Sequence, residues 1–418
     1  MDDVGMLPNT TFSNSTVLSA ADLHSTAKPI TCKAAIAYGP GQPLVIEDVL
    51  VDPPTKNEVR INILFTSICH TDIGAWVVES VGEGVTDLKV GDHVVLIFNS
   101  ECGDCAYCKS EKTNLCEKYR VNPFKSVMVN DGKCRFSSKE NGKPIFHFLN
   151  TSTFSKYTVV DSACVVKIDP IAPLNKMALL SCCISTGLGA AWNTAKVQPG
   201  STVAVFGLGA VGLAVVEGAR SRGASRIIGI DVNSNKLAKG QTMGVTNFVN
   251  SKEVDKPVHQ IIREMTQGGV DYSFECAGNL EVVREAFLST HDGWGLTVVL
   301  GIHATPRMLP LHPMELFDGR RIVASVFGDF KGKSQLPHVA KDCMRGMYRG
   351  KRRQMASWEE VSVEVNDIKA STFPDFKPLV DKEDQIQWKN NEIGVLTVRG
   401  AMKSLTKIGT KIIWYHLV

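Results

Sequence analysis

The chain has 418 residues, 44% of them apolar and 21% charged, with a net charge of +3. That is long enough for two domains with a sizeable core, and the charge argues neither for nucleic acid nor for an anionic membrane as partner. The sequence contains no run of 18 apolar residues, which excludes a spanning helix.

The first 29 residues are rich in Ser, Thr and Asn. They lack the apolar core of a signal peptide and the Arg-rich character of a transit peptide, so a flexible tail on a cytoplasmic protein is expected. From Ile30 to about Val197, short strands alternate with turn signals. CKAAIAYGPGQPLVIEDV reads as strand, Gly-Pro turn, strand; EVRINILFTSI alternates as a half-buried strand does; and LKVGDHVVLIF puts a Gly-Asp turn before an apolar strand. The spacing predicts a β-rich, barrel-like unit. After Gln198-Pro199-Gly200 the pattern becomes apolar strand, glycine turn, long amphipathic helix and second apolar strand, and βαβ units continue through GVDYSFECAG and LTVVLGI. They predict a doubly wound parallel sheet, making the chain α/β. Beyond about Gly350 only scattered strand-like pieces remain, and the basic run Arg349-Gly350-Lys351-Arg352-Arg353 reads as a solvated loop.

Twelve cysteines are many for a cytoplasmic chain, and disulfides would imply secretion. Their spacing points to metal. CGDCAYCKSEKTNLC places Cys102, Cys105, Cys108 and Cys116 as C-x2-C-x2-C-x7-C. Four thiolates so spaced can close a tetrahedron around Zn²⁺ with no open position, which makes the site structural. An iron–sulfur cluster also uses four cysteines, but nothing else in the chain suggests electron transfer. In VAVFGLGAVGLAVV, Gly207, Gly209 and Gly212 form G-x-G-x-x-G after a strand and at the start of a helix. Such glycines allow a tight turn and close approach of a pyrophosphate to a helix N-terminus. The next strand, RIIGID, ends in Asp231, nineteen residues after Gly212. A carboxylate there accepts from the ribose hydroxyls of NAD and repels the 2′-phosphate of NADP.

These motifs resemble those of the zinc-dependent medium-chain alcohol dehydrogenases, most of all the plant alcohol dehydrogenase-like enzymes. The likeness runs from about Ile30 to Gly346 through CHTD, the four-cysteine lobe, FLNTSTFSKYTVV, SCCISTGLGAAW with the glycine turn, GGVDYSFECAGN and GDFKGKSQLPH. It implies a GroES-like β-rich catalytic domain over 30–183, a Rossmann NAD-binding domain over 184–330 and a C-terminal segment over 331–418, assembled as a homodimer. The implied activity is reversible oxidation of a small-molecule alcohol to an aldehyde or ketone with NAD, with a second, catalytic zinc as Lewis acid. By position, Cys69 and Cys182 match ligands of that zinc. Thr71 matches a proton-relaying hydroxyl, His70 a basic contact to the pyrophosphate, and Asp72 a carboxylate behind the ligands. Thr186 and Val211 match residues beside the nicotinamide, and Asp231 and Lys236 match the ribose contacts. Cys183 stands where such enzymes usually have Gly, implying a small local backbone change.

Two departures bear on activity. The family places roughly twenty residues, with the third protein ligand, a His, between GAW and VVESVGEGV; in this chain Val77 follows Trp76 directly. No other histidine lies in a matching motif; His93, in VGDHVV, is expected in a structural turn. The family's returning C-terminal segment has no recognisable counterpart after Gly350. The alternatives are therefore a non-catalytic NAD-binding or partner-binding relative and, within the enzymes, a glutathione-dependent formaldehyde dehydrogenase.

Overall fold

The computed structural model describes residues 28–38, 44–67, 73–120, 122, 125–303 and 307–345, together with the backbone of three short strands at 388–389, 395–396 and 411–413. The first half is built from antiparallel strands: β1 (Ile30–Ala37), β2 (Leu44–Val51), β3 (Glu58–Ser67), β4 (Ile73–Val81), β5 (His93–Leu96), β6 (Phe136–Ser138), β7 (Pro144–Ile145), β8 (Tyr157–Asp161) and β9 (Val165–Lys167). One sheet runs β1-β2-β6-β7. The other runs β3-β4-β5-β9, with β8 also paired to β3 and the strand Lys411–Ile413 lying parallel to Phe65–Ser67. Alternation decides which face is buried. Val59, Ile61 and Ile63 of β3 and Trp76 and Val78 of β4 point inward, onto Val94, Leu96, Val160 and Val165. The Cys102–Cys116 lobe, which contains the short helix α1 (Ala106–Lys109), is an excursion from this unit.

After α2 (Leu174–Met177) and α3 (Cys183–Gly189) come β10 (Thr202–Phe206), α4 (Ala210–Ser221), β11 (Arg226–Asp231), α5 (Lys236–Met243), β12 (Asn247–Asn250), α6 (Val258–Thr266), β13 (Tyr272–Glu275), α7 (Leu280–Leu288), β14 (Leu296–Val299), α8 (Pro313–Phe317) and β15 (Arg321–Ala324). The six strands are parallel in the order β12-β11-β10-β13-β14-β15. This is the 3-2-1-4-5-6 order of a dinucleotide fold, whose direction reverses between β10 and β13. Val203 to Phe206 are buried on both faces of β10, as a parallel sheet covered on both sides requires.

α3 joins the halves. Small residues let it lie against α4: a Cβ on Gly187 would fall 2.5 Å from the Val211 carbonyl oxygen, and one on Gly218 would fall 2.9 Å from the Ala191 Cβ. One apolar cluster takes in Val95, Ile97 and Val166 from the barrel, Ile184 and Leu188 from α3, Ala210 and Ala214 from α4, and Leu336 and Val339 from α9 (Gly332–Arg345). α9 is pinned back on the first half where Glu101 accepts from the Ser334 N–H and hydroxyl, both at 2.9 Å. His93 is the first residue of β5, opposite Val77, rather than part of the preceding turn. No helix among the described residues is long and apolar enough to cross a membrane.

Candidate active site

The four-cysteine lobe brings its sulfur atoms together. The Sγ atoms of Cys102, Cys105, Cys108 and Cys116 all lie within 4.8 Å of one another, and those of Cys102 and Cys108 are 3.8 Å apart. A tetrahedron with Zn–S bonds of about 2.3 Å has edges of about 3.8 Å, so the cage fits zinc, and none of the four is in a disulfide. Backbone N–H groups point at the sulfurs: Cys105 and Asp104 donate to Cys102, Cys108 to Cys105 and Tyr119 to Cys116, at 3.4–3.5 Å. Burial opposes a thiolate at Cys105, but the N–H groups of Cys108 and Glu117, with the neighbouring thiols, outweigh it and bring that group down to about 6. Burial pushes Cys108 up to about 12 and also raises Cys116. Four thiolates in this space require a cation, and loading the site releases protons. Every sulfur comes from one folded excursion, tied to α9 by the Lys331 ammonium on the Cys108 carbonyl at 2.6 Å.

The glycine turn lies at the reversal of the parallel sheet. Gly207 has φ +92°, closed to most side chains, and a Cβ on it would fall 3.2 Å from the Ala277 nitrogen. Gly209 caps α4, and a Cβ on Gly212 would fall 1.9 Å from the Gly207 carbonyl oxygen. The first turn of α4 therefore offers free N–H groups to an anion that approaches bare backbone. Asp231, at the end of β11, is buried beside this turn. Its Oδ2 accepts from the Leu208 N–H at 2.8 Å and from the Lys236 ammonium at 3.2 Å, and its Oδ1 accepts from the Asn233 N–H at 3.0 Å. Gly207, Gly209, Gly212, Asp231 and Lys236 thus converge, with Val211 in the first turn of the same helix.

Cys182 caps α3, with φ −149° and ψ −83°, and packs against the barrel cluster that holds Trp76. Cys183 begins the helix with negative φ and a buried side chain whose Sγ lies 3.6 Å from the Leu179 carbonyl; nothing at this position requires Gly. Thr186, one turn on, is buried, and its Oγ1 has no hydrogen-bond partner among the described residues. Cys69, His70, Thr71 and Asp72 lie outside the described residues, so of the expected catalytic set the structure places Cys182 and Thr186 alone. β4 is continuous across Trp76-Val77. Trp76 pairs with Ile63 and Val94, and Val77 pairs with Asn62 and His93. The Trp76 side chain is 0% exposed, its Nε1 without a partner among the described residues.

Sequence reasoning overlooked Glu275, the last residue of β13. Its Oε1 accepts the N–H groups of Ala277 and Gly278 at 2.8 and 2.7 Å, beside the glycine turn. The readable signal is a carboxylate at the end of a buried strand, with Ala277-Gly278 two residues on.

Comparison with known proteins decides the family. The alcohol dehydrogenase GroES-like domain matches residues 55–170, and the zinc-binding dehydrogenase domain matches residues 210–343. Alcohol dehydrogenase-like 3 of Arabidopsis thaliana is 62% identical over 349 residues, covering 77% of this chain and 89% of that protein. The chain belongs to the zinc-dependent medium-chain alcohol dehydrogenase family. Among other members, alcohol dehydrogenase class-3 of Pisum sativum is 53% identical over 335 residues, covering 76% of this chain and 88% of the relative. In structure, a zinc-binding-domain alcohol dehydrogenase of Burkholderia ambifaria superposes with TM-score 0.70 at 30% identity, over 80% of this chain and 92% of that one. Benzyl alcohol dehydrogenase of Acinetobacter calcoaceticus superposes with TM-score 0.69 at 26% identity, over 79% and 92% of the two chains. The Arabidopsis match runs over 349 positions while taking up 77% of these 418 residues, so that member of the family carries positions for which this chain has no residue.

Proposed function

We propose that this chain binds NAD at its glycine turn and one zinc in its four-cysteine lobe, and that it oxidises alcohols weakly or not at all because its catalytic metal lacks one protein ligand. The observation that carries the reading is the unbroken β4. Trp76 and Val77, between which the family's ligand-bearing segment is expected, are adjacent rungs of one strand paired on both sides. Cys69 and Cys182 then remain as two ligands where a catalytic zinc needs three and a substrate position. With a full set, that metal polarises the alcohol oxygen.

The remaining residues have roles that do not depend on it. Gly207, Gly209 and Gly212 open the backbone to the pyrophosphate. Asp231, oriented by Leu208 and Lys236, takes the ribose hydroxyls and favours NAD over NADP. Val211 and the hydroxyl of Thr186, which has no hydrogen-bond partner among the described residues, border the nicotinamide. His70, Thr71 and Asp72 keep the parts assigned from sequence: pyrophosphate contact, proton relay and support of the ligands. The substrate class is small-molecule alcohols, and the proposed setting is the cytoplasm. A homodimer through the edge strand β15 agrees with the side chains exposed nearby, Met308 at 93% and Phe317 at 80%.

The test combines a metal count, NADH titration by fluorescence, and NADH formation from ethanol and longer primary alcohols with zinc supplied. One zinc per chain, NADH binding and negligible turnover are expected. Two zincs and turnover like that of an intact relative would overturn the reading and show that another residue supplies the third ligand.

A further inference from the structure

Glu275 and His303 each carry a buried polar atom without a hydrogen-bond partner among the described residues, and these two atoms are near each other. Glu275 Oε2 lies 3.8 Å from His303 Nε2, with the two side chains 0% and 23% exposed. The distance is longer than a hydrogen bond, and a buried carboxylate oxygen left unpaired is costly.

The pair sits where three loops meet at the C-terminal ends of β10, β13 and β14. Glu275 ties two of them together. Its Oε1 holds the Ala277 and Gly278 N–H groups, and its main-chain carbonyl accepts from Leu300 at 2.9 Å and Gly301 at 3.0 Å. Contact between these loops leaves no room for side chains. A Cβ on Gly301 would fall 2.2 Å from the Gly278 nitrogen and 2.5 Å from Glu275 Oε2, and one on Gly278 would fall 2.6 Å from the Ile302 carbonyl oxygen. The third loop is the glycine turn, where Gly207 lies against Ala277. A shift in the loop carrying His303 is therefore transmitted through Glu275 to the wall of the crevice.

We propose that Glu275 and His303 form a latch that positions the coenzyme. When NAD(H) fills the crevice, His303 Nε2 closes onto Glu275 Oε2, fixing the loop after β14 against the loop after β13. His303 is a positioning residue: it acts through the loops and touches no reacting atom. The less-than-ångström closure is of the kind by which hydrogen bonds that are long in a free protein tighten on binding. The proposal rests on the reading that this crevice takes NAD.

The test is fluorescence titration of the full chain with NADH, in the unaltered protein and in His303→Ala, His303→Gln, Glu275→Gln and the double variant Glu275→Gln/His303→Ala, alongside thermal melts. His303→Ala should weaken NADH binding about tenfold, the scale of one hydrogen bond to a charged group, with its melting temperature little changed because at 3.8 Å the free chain has no Glu275–His303 hydrogen bond for the variant to lose. His303→Gln, which keeps a donor of similar reach, should recover most of the loss. The double variant should be no weaker than the weaker single, since the two act as one contact. The His303 variants decide the matter even if Glu275→Gln fails to fold. Unchanged affinity in His303→Ala, or no recovery in His303→Gln, overturns the latch while leaving coenzyme binding intact. Absence of NADH binding by the unaltered chain overturns both readings.

Discussion

Replacing Asp231 separates two jobs that the structure gives one carboxylate. It holds the glycine turn through the Leu208 N–H at 2.8 Å, and it is the group expected to meet the ribose. A unit charge of a 2′-phosphate about 4 Å from the carboxylate is opposed by roughly 4 kcal/mol at an effective dielectric near 20. The Lys236 ammonium, 3.2 Å from Asp231, offsets about half of that, leaving roughly 2 kcal/mol, or about a 30-fold preference for NADH over NADPH. Asp231→Asn removes the charge but keeps an oxygen for Leu208, so the preference should collapse toward unity with little change in melting. Asp231→Ser is too short to reach. It should also leave the Leu208 N–H buried and unpaired, at a further cost of about 1–3 kcal/mol in stability. Fluorescence titrations with both coenzymes, paired with thermal melts, measure the two effects separately. If the unaltered chain binds NADPH as tightly as NADH, or if Asp231→Asn leaves the ratio unchanged, the ribose role fails.

Cys105→Ser should abolish the lobe's zinc and lower the melting temperature, since a closed four-thiolate site contributes about 10–16 kcal/mol of apparent binding at neutral pH; an unchanged metal count would refute the assignment. Gly212→Ala puts a methyl 1.9 Å from the Gly207 carbonyl oxygen, so α4 or the turn must move by more than about 1 Å, and NADH affinity should fall at least about tenfold; an alanine variant that titrates like the parent would contradict the close approach. Burial, and then the charge of Glu58, raise Asp161 to about 7, above its unfolded value near 4. The folded protein therefore holds the extra proton between those limits. Stability should fall as pH rises from about 4 to 7 and then level off. Asp161→Asn should flatten that part of a melting-temperature profile, and an unaltered slope would rule Asp161 out as its source.

What could be read from the sequence was local. Four cysteines within fifteen residues, or three glycines between a strand and a helix, carry their geometry in their spacing, because one turn or one excursion brings the groups together. Glu275 and His303 are brought together by the parallel pairing of β13 with β14 across the intervening α7, and no local spacing announces that. The junction at Trp76-Val77 is readable as a departure from the family pattern, but its outcome is not: the strand register shows β4 running on unbroken and paired on both sides. The resemblance places His93 in a structural turn, whereas it is the first residue of β5, opposite Val77. The catalytic assignments at Cys69, His70, Thr71 and Asp72 rest on sequence alone, because those residues lie outside the described ones.

The continuity of β4 also has a consequence for how the protein opens. On either side of the join the strand keeps its alternation: Trp76, Val78 and Ser80 are buried, while Val77, Glu79 and Val81 are only partly so. Its amides are engaged within the sheet, with Val78 donating to the Asp92 carbonyl at 3.0 Å and accepting from Gly91 at 2.9 Å. These groups exchange with solvent only when the barrel itself opens. Amide exchange across residues 76–78 should therefore follow the global stability of the barrel, slow and at one common rate, rather than report local fraying at the join.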